Sequence, residues 1–300
     1  MFFPGGIKVE EVYRRGTIIR AAGGFYDVLL DNGKTVRCTI RGRHKKSDEA
    51  AITGDNVKIV TDESGDGVVE ELLPRKNSLI RPQIANVTQI IAVVSACKPA
   101  PEWHSLNGQL LSAEIKEINA VICLNKIDLV EEGKLKEISL FLSSFPYEVL
   151  LASAEDKTGL ERLKELLANN ITVFSGPSGV GKTSLINAIL PWLGLKTSGI
   201  SSKIERGRHT TRHVELIPMD KCSGMIADTP GFSRIDIPHG NMVFPDTYYP
   251  EIRERRNDCR FRNCLHINEP GCAIREAVSA GEINEIRYGH YLTVIEELNQ

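Results

Sequence analysis

The 300-residue sequence contains no uninterrupted run of about 18 apolar residues, so no membrane-spanning helix is expected. It has almost no net charge, −2 in formal terms. Bulk electrostatics therefore select no polyanionic partner, and any nucleic-acid contact must come from local patches. Internal repeats and low-complexity tracts are also missing, which leaves no basis for a solenoid or a disordered tail. Residues 1–10 hold one Lys and a Pro-Gly-Gly break but no charge–apolar–cleavage pattern of a secretory leader, so a cytoplasmic location is expected. What remains is ordinary globular composition, 41% apolar and 25% charged, in a chain comfortable for two or three domains.

Seven cysteines fall into two groups. Cys38, Cys97, Cys123 and Cys222 are scattered among apolar residues and read as small buried side chains. Cys259, Cys264 and Cys272 surround His266, and in a reducing compartment such a cluster suggests a metal before a disulfide.

Three segments follow one another. Five short strand signals, at 12–20, 25–30, 35–40, 56–61 and 68–73, are separated by turn residues, with Asn32-Gly33 as a hairpin signal. Five such strands suit a small barrel, an OB-fold first and an SH3-like barrel second. Residues 73–82, with two prolines, read as a linker. From residue 89, strand-like runs alternate with helical stretches, the pattern of a mostly parallel sheet covered on both faces. Two more strands are expected at 214–219 and 225–228. Past about residue 231 this alternation stops, and a Pro-containing stretch leads to the Cys/His cluster and helices at 273–280 and 282–298. The expected division is a barrel at 1–75, an α/β domain at 76–232 and a small, mostly helical module at 233–300.

The α/β segment carries a nucleotide signature. Gly176-Pro177-Ser178-Gly179-Val180-Gly181-Lys182-Thr183 matches G-x-x-x-x-G-K-[ST] between a strand and a helix, and with Ser184 forms the expected phosphate-binding stretch. Its glycines let backbone N–H groups form an anion-binding nest at a helix N-terminus. Lys182 is placed for the terminal phosphates, and the Thr183 hydroxyl for Mg²⁺. A guanylate kinase could own the same loop. Asn125-Lys126-Ile127-Asp128, at the end of a strand, points instead to a GTPase. A carboxylate at Asp128 can accept from guanine N1–H and its exocyclic amine. Ser153-Ala154 ends the next strand, where a backbone N–H can meet guanine O6. Asp228-Thr229-Pro230-Gly231 is the D-x-x-G element: Asp228 holds a Mg²⁺-bound water and the Gly231 N–H meets the γ-phosphate. Between these lies Gly207-Arg208-His209-Thr210-Thr211-Arg212, whose Thr211, or else Thr210, completes the Mg²⁺ shell.

The order of these motifs is permuted. The base-reading motifs at 125–128 and 153–154 precede the phosphate loop rather than follow the D-x-x-G element. Circular permutation keeps spatial neighbours together while moving the termini. It also leaves the last module attached just after the switch, where it can respond to the nucleotide.

With the permuted order, the 207–211 stretch and the Cys259–Cys272 cluster, nearly the whole chain resembles the ribosome small-subunit-dependent GTPase A family (RsgA, also called YjeQ). The resemblance implies an N-terminal OB-fold, a circularly permuted GTPase and a C-terminal zinc module. It further implies late maturation of the small ribosomal subunit, with that particle and its rRNA as partners and GTP hydrolysis stimulated by the particle. A monomer without a membrane partner is expected. The resemblance raises Cys259, Cys264, His266 and Cys272 from a choice between metal ligands and buried thiols to ligands of one structural Zn²⁺.

Two further absences concern catalysis. The residue after D-x-x-G is Phe232, not the Gln that orients water in Ras-like proteins. The fourth loop position is Gly179, not the Asn that binds K⁺ in some relatives of this mechanism. His209 is the remaining polar candidate, with Lys182 and Thr211 as its catalytic companions. Arg37, Arg41, Arg43, Lys45 and Lys46, near Phe25 and Tyr26, form one basic cluster. Arg253, Arg255, Arg256, Arg260 and Arg262 form another. Both are candidate RNA footprints.

Overall fold

The computed structural model describes residues 13–40, 50–62, 65–80, 82–195, 214–219, 224–232 (backbone only for 228–232) and 244–298. The chain divides into two compact units, Met1–Asn86 with Gly207–Ile217, and Val87–Arg206 with Pro218–Gln300.

The first unit is a closed five-stranded barrel of β1 (Arg14–Ala22), β2 (Phe25–Leu30), β3 (Thr35–Ile40), β4 (Asn56–Thr61) and β5 (Gly67–Leu72). The strands pair in the order β1-β2-β3-β5-β4, and β4 closes on β1. All pairs are antiparallel except β3–β5, the Greek-key arrangement of an OB-fold. Alternation sends Ile18, Val28, Leu30, Val36, Cys38, Val57, Ile59 and Val69 into one apolar core. The β2–β3 hairpin turns at Asn32-Gly33 as expected: the Gly33 N–H bonds to the Leu30 carbonyl, and the Asn32 side chain accepts from the Lys34 N–H.

The stretch after β5 is tied to the barrel rather than a loose linker. The Arg75 guanidinium grips the buried Asp55 carboxylate with two bonds, of 2.6 and 2.8 Å. Asp55 also accepts from the Ile52 N–H, and its carbonyl accepts from Ile18 of β1. β6 (Ser78–Leu79) and β7 (Ile84–Ala85) form a short hairpin. The Ala85 N–H donates to the Thr53 carbonyl, and the Asn86 side chain donates to the Gly54 carbonyl.

The second unit holds a five-stranded parallel sheet ordered β10-β9-β8-β11-β13. Its strands are β8 (Gln89–Ser95), β9 (Asn119–Asn125), β10 (Glu148–Ala152), β11 (Ile171–Ser175) and β13 (Met225–Phe232). β8 is buried along its whole length, which is why it reads as a continuous apolar run. α1 (Trp103–Ile115), α2 (Glu132–Leu142), α3 (Leu160–Leu167) and α4 (Lys182–Ile189) connect the strands. α3 is amphipathic: Leu160, Leu163 and Leu167 share one buried face, each worth about 1.5–3 kcal/mol. β12 (Glu215–Pro218) belongs to the first unit over most of its length and pairs with β1 at Arg20↔Glu215.

The C-terminal part of this unit is built from α5 (Pro250–Arg253), α6 (Ala273–Ser279) and α7 (Glu285–Leu298). It shares a core with Leu111 of α1 through Tyr249, Ile252, Ile274 and Tyr291. At its centre Arg287 is buried. It bonds Glu251 at 2.6 and 3.1 Å and Asn107 of α1 at 3.2 Å, with Tyr249 and Tyr147 flanking its guanidinium. Removing either partner would strand a buried charge. Among the described residues no helix is long and apolar enough to cross a membrane.

If residue 75 is part of the barrel's framework, Arg75→Met should lower barrel stability by about 3 kcal/mol, because Asp55 stays buried without its cation. The readout is hydrogen exchange at the Ile18 amide, whose acceptor is the Asp55 carbonyl. Unchanged protection there would contradict this.

Candidate functional site

Chain order and sheet order part company between β8 and β11. β9 and β10 extend to one side of β8, while β11 and β13 lie on the other. The carboxyl ends flanking such a reversal form the usual ligand crevice of an open α/β sheet. The expected nucleotide motifs of the second unit all emerge along this edge. Asn125 ends β9, Ser153 follows β10, Gly176 follows β11, and Asp228-Thr229-Pro230-Gly231 lies within β13. In β13 the D-x-x-G element forms a bulge. Val173 pairs with Ala227 and Ser175 already with Phe232, so the four residues between are set against one partner position. The backbone thus resumes pairing after an element that the sequence pattern placed at a strand end.

The phosphate loop needs its glycines. Gly176, Gly179 and Gly181 have φ of 137°, 84° and 99°. A Cβ on Gly176 would lie 2.4 Å from the Val93 carbonyl oxygen, and one on Gly181 2.2 Å from the Asn125 side-chain nitrogen. Gly181 precedes α4, whose first residues are Lys182, Thr183 and Ser184. Lys182 Nζ donates to the Gly176 and Pro177 carbonyls at 2.7 and 2.9 Å. Burial lowers its pKa, and an anion beside it would favour the charged ammonium and offset that cost.

The Asn125–Asp128 motif, the expected base reader, is joined to this loop directly. The buried Asn125 amide donates to the Val180 carbonyl at 2.9 Å. Lys126, in the left-handed region at φ 64°, donates to the Gly179 carbonyl at 2.6 Å and to the Lys98 carbonyl. Asp128 sits on the short turn after Lys126 with its carboxylate exposed. Buried Ser153 shapes the next loop: its N–H bonds to the Thr158 carbonyl, and its Oγ accepts from the Glu155 and Asp156 N–H groups. That loop carries Ala154. Register brings Ala152 opposite Asn125, so the 153–154 loop adjoins the 125–128 turn.

Gly207, Arg208, His209, Thr210, Thr211 and Arg212 lie outside the described residues, as do Cys222 and the basic stretch Arg41, Arg43, Lys45 and Lys46. Of the other lone cysteines, Cys38 and Cys123 are buried as expected, whereas Cys97 is only half-buried.

The Cys/His cluster closes in space. The Sγ atoms of Cys259, Cys264 and Cys272 and a ring nitrogen of His266 all lie within 4.8 Å of one another. His266 Nδ1 is 3.5 Å from Cys259 and 3.4 Å from Cys272, and these two sulfurs are 4.0 Å apart. Zn–S bonds of about 2.3 Å in a tetrahedron give ligand–ligand edges of ~3.8 Å, so the set has the right size for zinc. Burial works against the Cys272 thiolate. The N–H groups of Arg275 and Ile274 and the ring of His266 outweigh it and lower the pKa.

Sequence reading missed the supports of this cluster. The other ring nitrogen of His266, Nε2, is buried and lies 3.8 Å from Asp246, which Arg256 also holds at 3.0 Å. Metal-bound imidazoles commonly lean on such a carboxylate. Glu269 accepts the N–H groups of Leu265, Ile267 and Asn268 and so shapes the ligand loop. Burial opposes its ionised form, but those bonds prevail and its pKa is lowered. Neither residue stands at a spacing that announces a role. The second basic cluster is also smaller than its sequence suggests. Arg253, Arg255 and Arg256 pair with Glu114, Glu282 and Asp246, which leaves Arg260 and Arg262 exposed beside Phe261. On the barrel, Arg37 stacks over the exposed Phe25 ring at 4.4 Å, while Tyr26 packs against the core.

Comparison with known proteins covers nearly the whole chain. The family model for the RsgA GTPase matches residues 72–238, and that for the RsgA N-terminal domain matches residues 15–69. A small ribosomal subunit biogenesis GTPase RsgA from Moorella thermoacetica is 43% identical over 283 residues, 94% of this chain and 97% of its own. The protein of that name from Alkaliphilus metalliredigens is 42% identical over 288 residues, 95% and 98%. Among solved structures, YjeQ from Thermotoga maritima superposes with a TM-score of 0.80 at 33% identity, covering 96% of this chain and 99% of that one. YloQ, a circularly permuted GTPase, does so at 0.82 and 33%, covering 98% of both chains. An OB barrel, a phosphate loop fastened to an upstream base-reading motif, and likeness of this extent together place the chain in the RsgA family of circularly permuted GTPases.

Proposed function

We propose that the chain is a GTP-hydrolysing assembly factor that acts on the small ribosomal subunit late in its maturation and is stimulated by that particle. The observation that carries this reading is the Asn125–Val180 and Lys126–Gly179 contact. It unites guanine selection and phosphate binding in a permuted chain whose relatives, named for small-subunit biogenesis, match it from barrel to C-terminus. We assign the barrel at 1–75 and the module at 233–300 to the particle, and 76–232 to the nucleotide.

In this reading Asp128 accepts from the guanine edge, while the Ala154 N–H, on the loop shaped by Ser153, serves guanine O6. Backbone N–H groups of Ser178, Gly179, Val180 and Gly181 cradle the phosphates, and Lys182 turns from its two carbonyl partners to the terminal phosphates. Thr183, in the first turn of α4, together with Thr211 would hold Mg²⁺, which supplies charge neutralisation for the leaving diphosphate. Asp228 and the Gly231 N–H serve the metal-bound water and the γ-phosphate. Phe232 has no group to orient the attacking water and Gly179 has no side chain to bind K⁺, so His209 takes that part. Hydrolysis by the isolated protein is then slow, and docking on the particle supplies the missing order. RNA contact falls to Arg37 with Phe25 on the barrel and to Arg260 and Arg262 on the C-terminal module. One Zn²⁺ on Cys259, Cys264, His266 and Cys272 would be structural, because four protein ligands leave no open position.

The functional test is GTP turnover with and without purified small subunits. Stimulation by small subunits is expected, and His209→Ala should lower the stimulated kcat by about 100-fold while GTP affinity stays within a few-fold. Stimulation by large subunits alone would contradict the assignment of the partner, and unchanged turnover of the variant would move water positioning to the partner.

The metal is tested by elemental analysis. One zinc per chain is expected, lost in the Cys259→Ser/Cys264→Ser variant together with protection of α6 and α7 from hydrogen exchange. Freshly purified protein without zinc, or a variant with full protection, would contradict the structural role.

A further inference from the structure

The loop 52–55 of the barrel is a junction of unusual density. Ile52, Thr53 and Asp55 are all buried. The Gly54 N–H and the Asp55 carbonyl bond to Ile18 of β1. The Asp55 carboxylate takes Arg75, the Thr53 carbonyl takes the Ala85 N–H, and the Gly54 carbonyl takes Asn86. A Cβ on Gly54 would fall 2.1 Å from the Ala85 oxygen, at φ 92°, so the loop has no freedom to yield. One group on this loop points to a distant part of the chain. The Thr53 hydroxyl donates to the Val214 carbonyl at 2.9 Å, across 161 residues.

Val214 occupies a particular place. It lies three residues after Thr211 and immediately precedes β12, which pairs with β1 through Glu215 and Arg20. The same chain then turns at Met219, whose N–H bonds to the Gly224 carbonyl, and enters β13 with the D-x-x-G element. β12 is therefore the covalent path between both nucleotide-sensing motifs, and it is fastened to the barrel. Of this stretch, the described residues 214–217 cluster with the barrel and not with the parallel sheet.

We propose that Thr53 is a positioning residue for GTP hydrolysis, which ties the chain between the switch threonines and the D-x-x-G element to the barrel, so that barrel docking is felt at the nucleotide. This rests on the stimulated GTPase reading above. A hydroxyl–carbonyl bond is suited to such a tie, because loss of the hydroxyl leaves a buried carbonyl without its partner, and the penalty falls on the seating of β12 and not on the barrel core. The barrel thus does more than bind the particle, since a load on β1 is transmitted to β12 through Thr53 and the Arg20↔Glu215 pair.

The test is GTP turnover by the full chain, alone and with purified small subunits, for wild type, Thr53→Val and Thr53→Ser. Co-sedimentation with subunits and thermal unfolding are measured on the same proteins. Thr53→Val is expected to lower the stimulated kcat about fivefold, with KM for GTP and subunit binding within about twofold of wild type, and Thr53→Ser to restore it. A stimulated kcat in Thr53→Val equal to that of wild type overturns the coupling while leaving the assembly function standing. So does a loss of kcat matched by an equal loss of subunit binding, or one that Thr53→Ser fails to restore, since either marks a merely structural hydroxyl. If subunits do not stimulate the wild type, the proposed function fails, and basal turnover decides the coupling: a lower basal kcat in Thr53→Val, restored in Thr53→Ser, supports it, and an unchanged one overturns it.

Discussion

In the proposed reading, the nucleotide site depends on the bond from the Asn125 amide to the Val180 carbonyl. A permuted chain delivers its base-reading strand before its phosphate loop, and nothing in covalent order keeps the two together. Hydrogen bonding between neighbouring strands does. β9 lies against β8, β8 against β11, and the carboxyl ends of all three face the same crevice. Asn125 and Lys126 then fix the loop by its carbonyls, which leaves the loop's N–H groups for phosphate. The missing Cβ at Gly181 is part of the same constraint, since the Asn125 side chain fills the space it would need.

The same logic governs the C-terminal module. From the motif order alone, its attachment just after the switch suggests a domain that follows the nucleotide. Its packing adds a second attachment: Arg287 is buried between Glu251 and Asn107, and Leu111 of α1 joins its core. A buried, bonded charge resists displacement. The module is therefore fastened to α1, while residues 215–217 of β12, which lie in the chain between the 207–212 stretch and the D-x-x-G element, belong with the barrel.

What can be read from sequence is what local chemistry announces. β2, β3 and β4 fall at their expected ends because Asn32-Gly33 and the flanking turn residues punctuate them, whereas β1 begins and ends two residues later than its apolar pattern suggests. The phosphate loop, the 125–128 motif and the Cys/His cluster have fixed spacings and are visible as such. Arg75 reads as part of a linker because its partner, Asp55, is twenty residues upstream and no pattern links them. Asp246 is invisible for the same reason, with His266 twenty residues downstream, whereas Glu269 bonds its own loop at a spacing that no motif marks. The arginines at 253–262 look like one patch because sequence shows charge but not pairing, and three of them are matched by Glu114, Glu282 and Asp246.

The most direct test of this account is the affinity of the full chain for GDP when Asn125 is changed to Ala, measured by fluorescence titration beside the wild type. The side chain is buried and its amide nitrogen bonds the Val180 carbonyl, so its loss should release the loop that it holds. The account predicts GDP binding weaker by about 10–100-fold, the cost of leaving that buried carbonyl unpaired, with the barrel and the C-terminal module still folded. GDP affinity equal to wild type would mean that the base-reading strand does not hold the phosphate loop, and the central claim would fall.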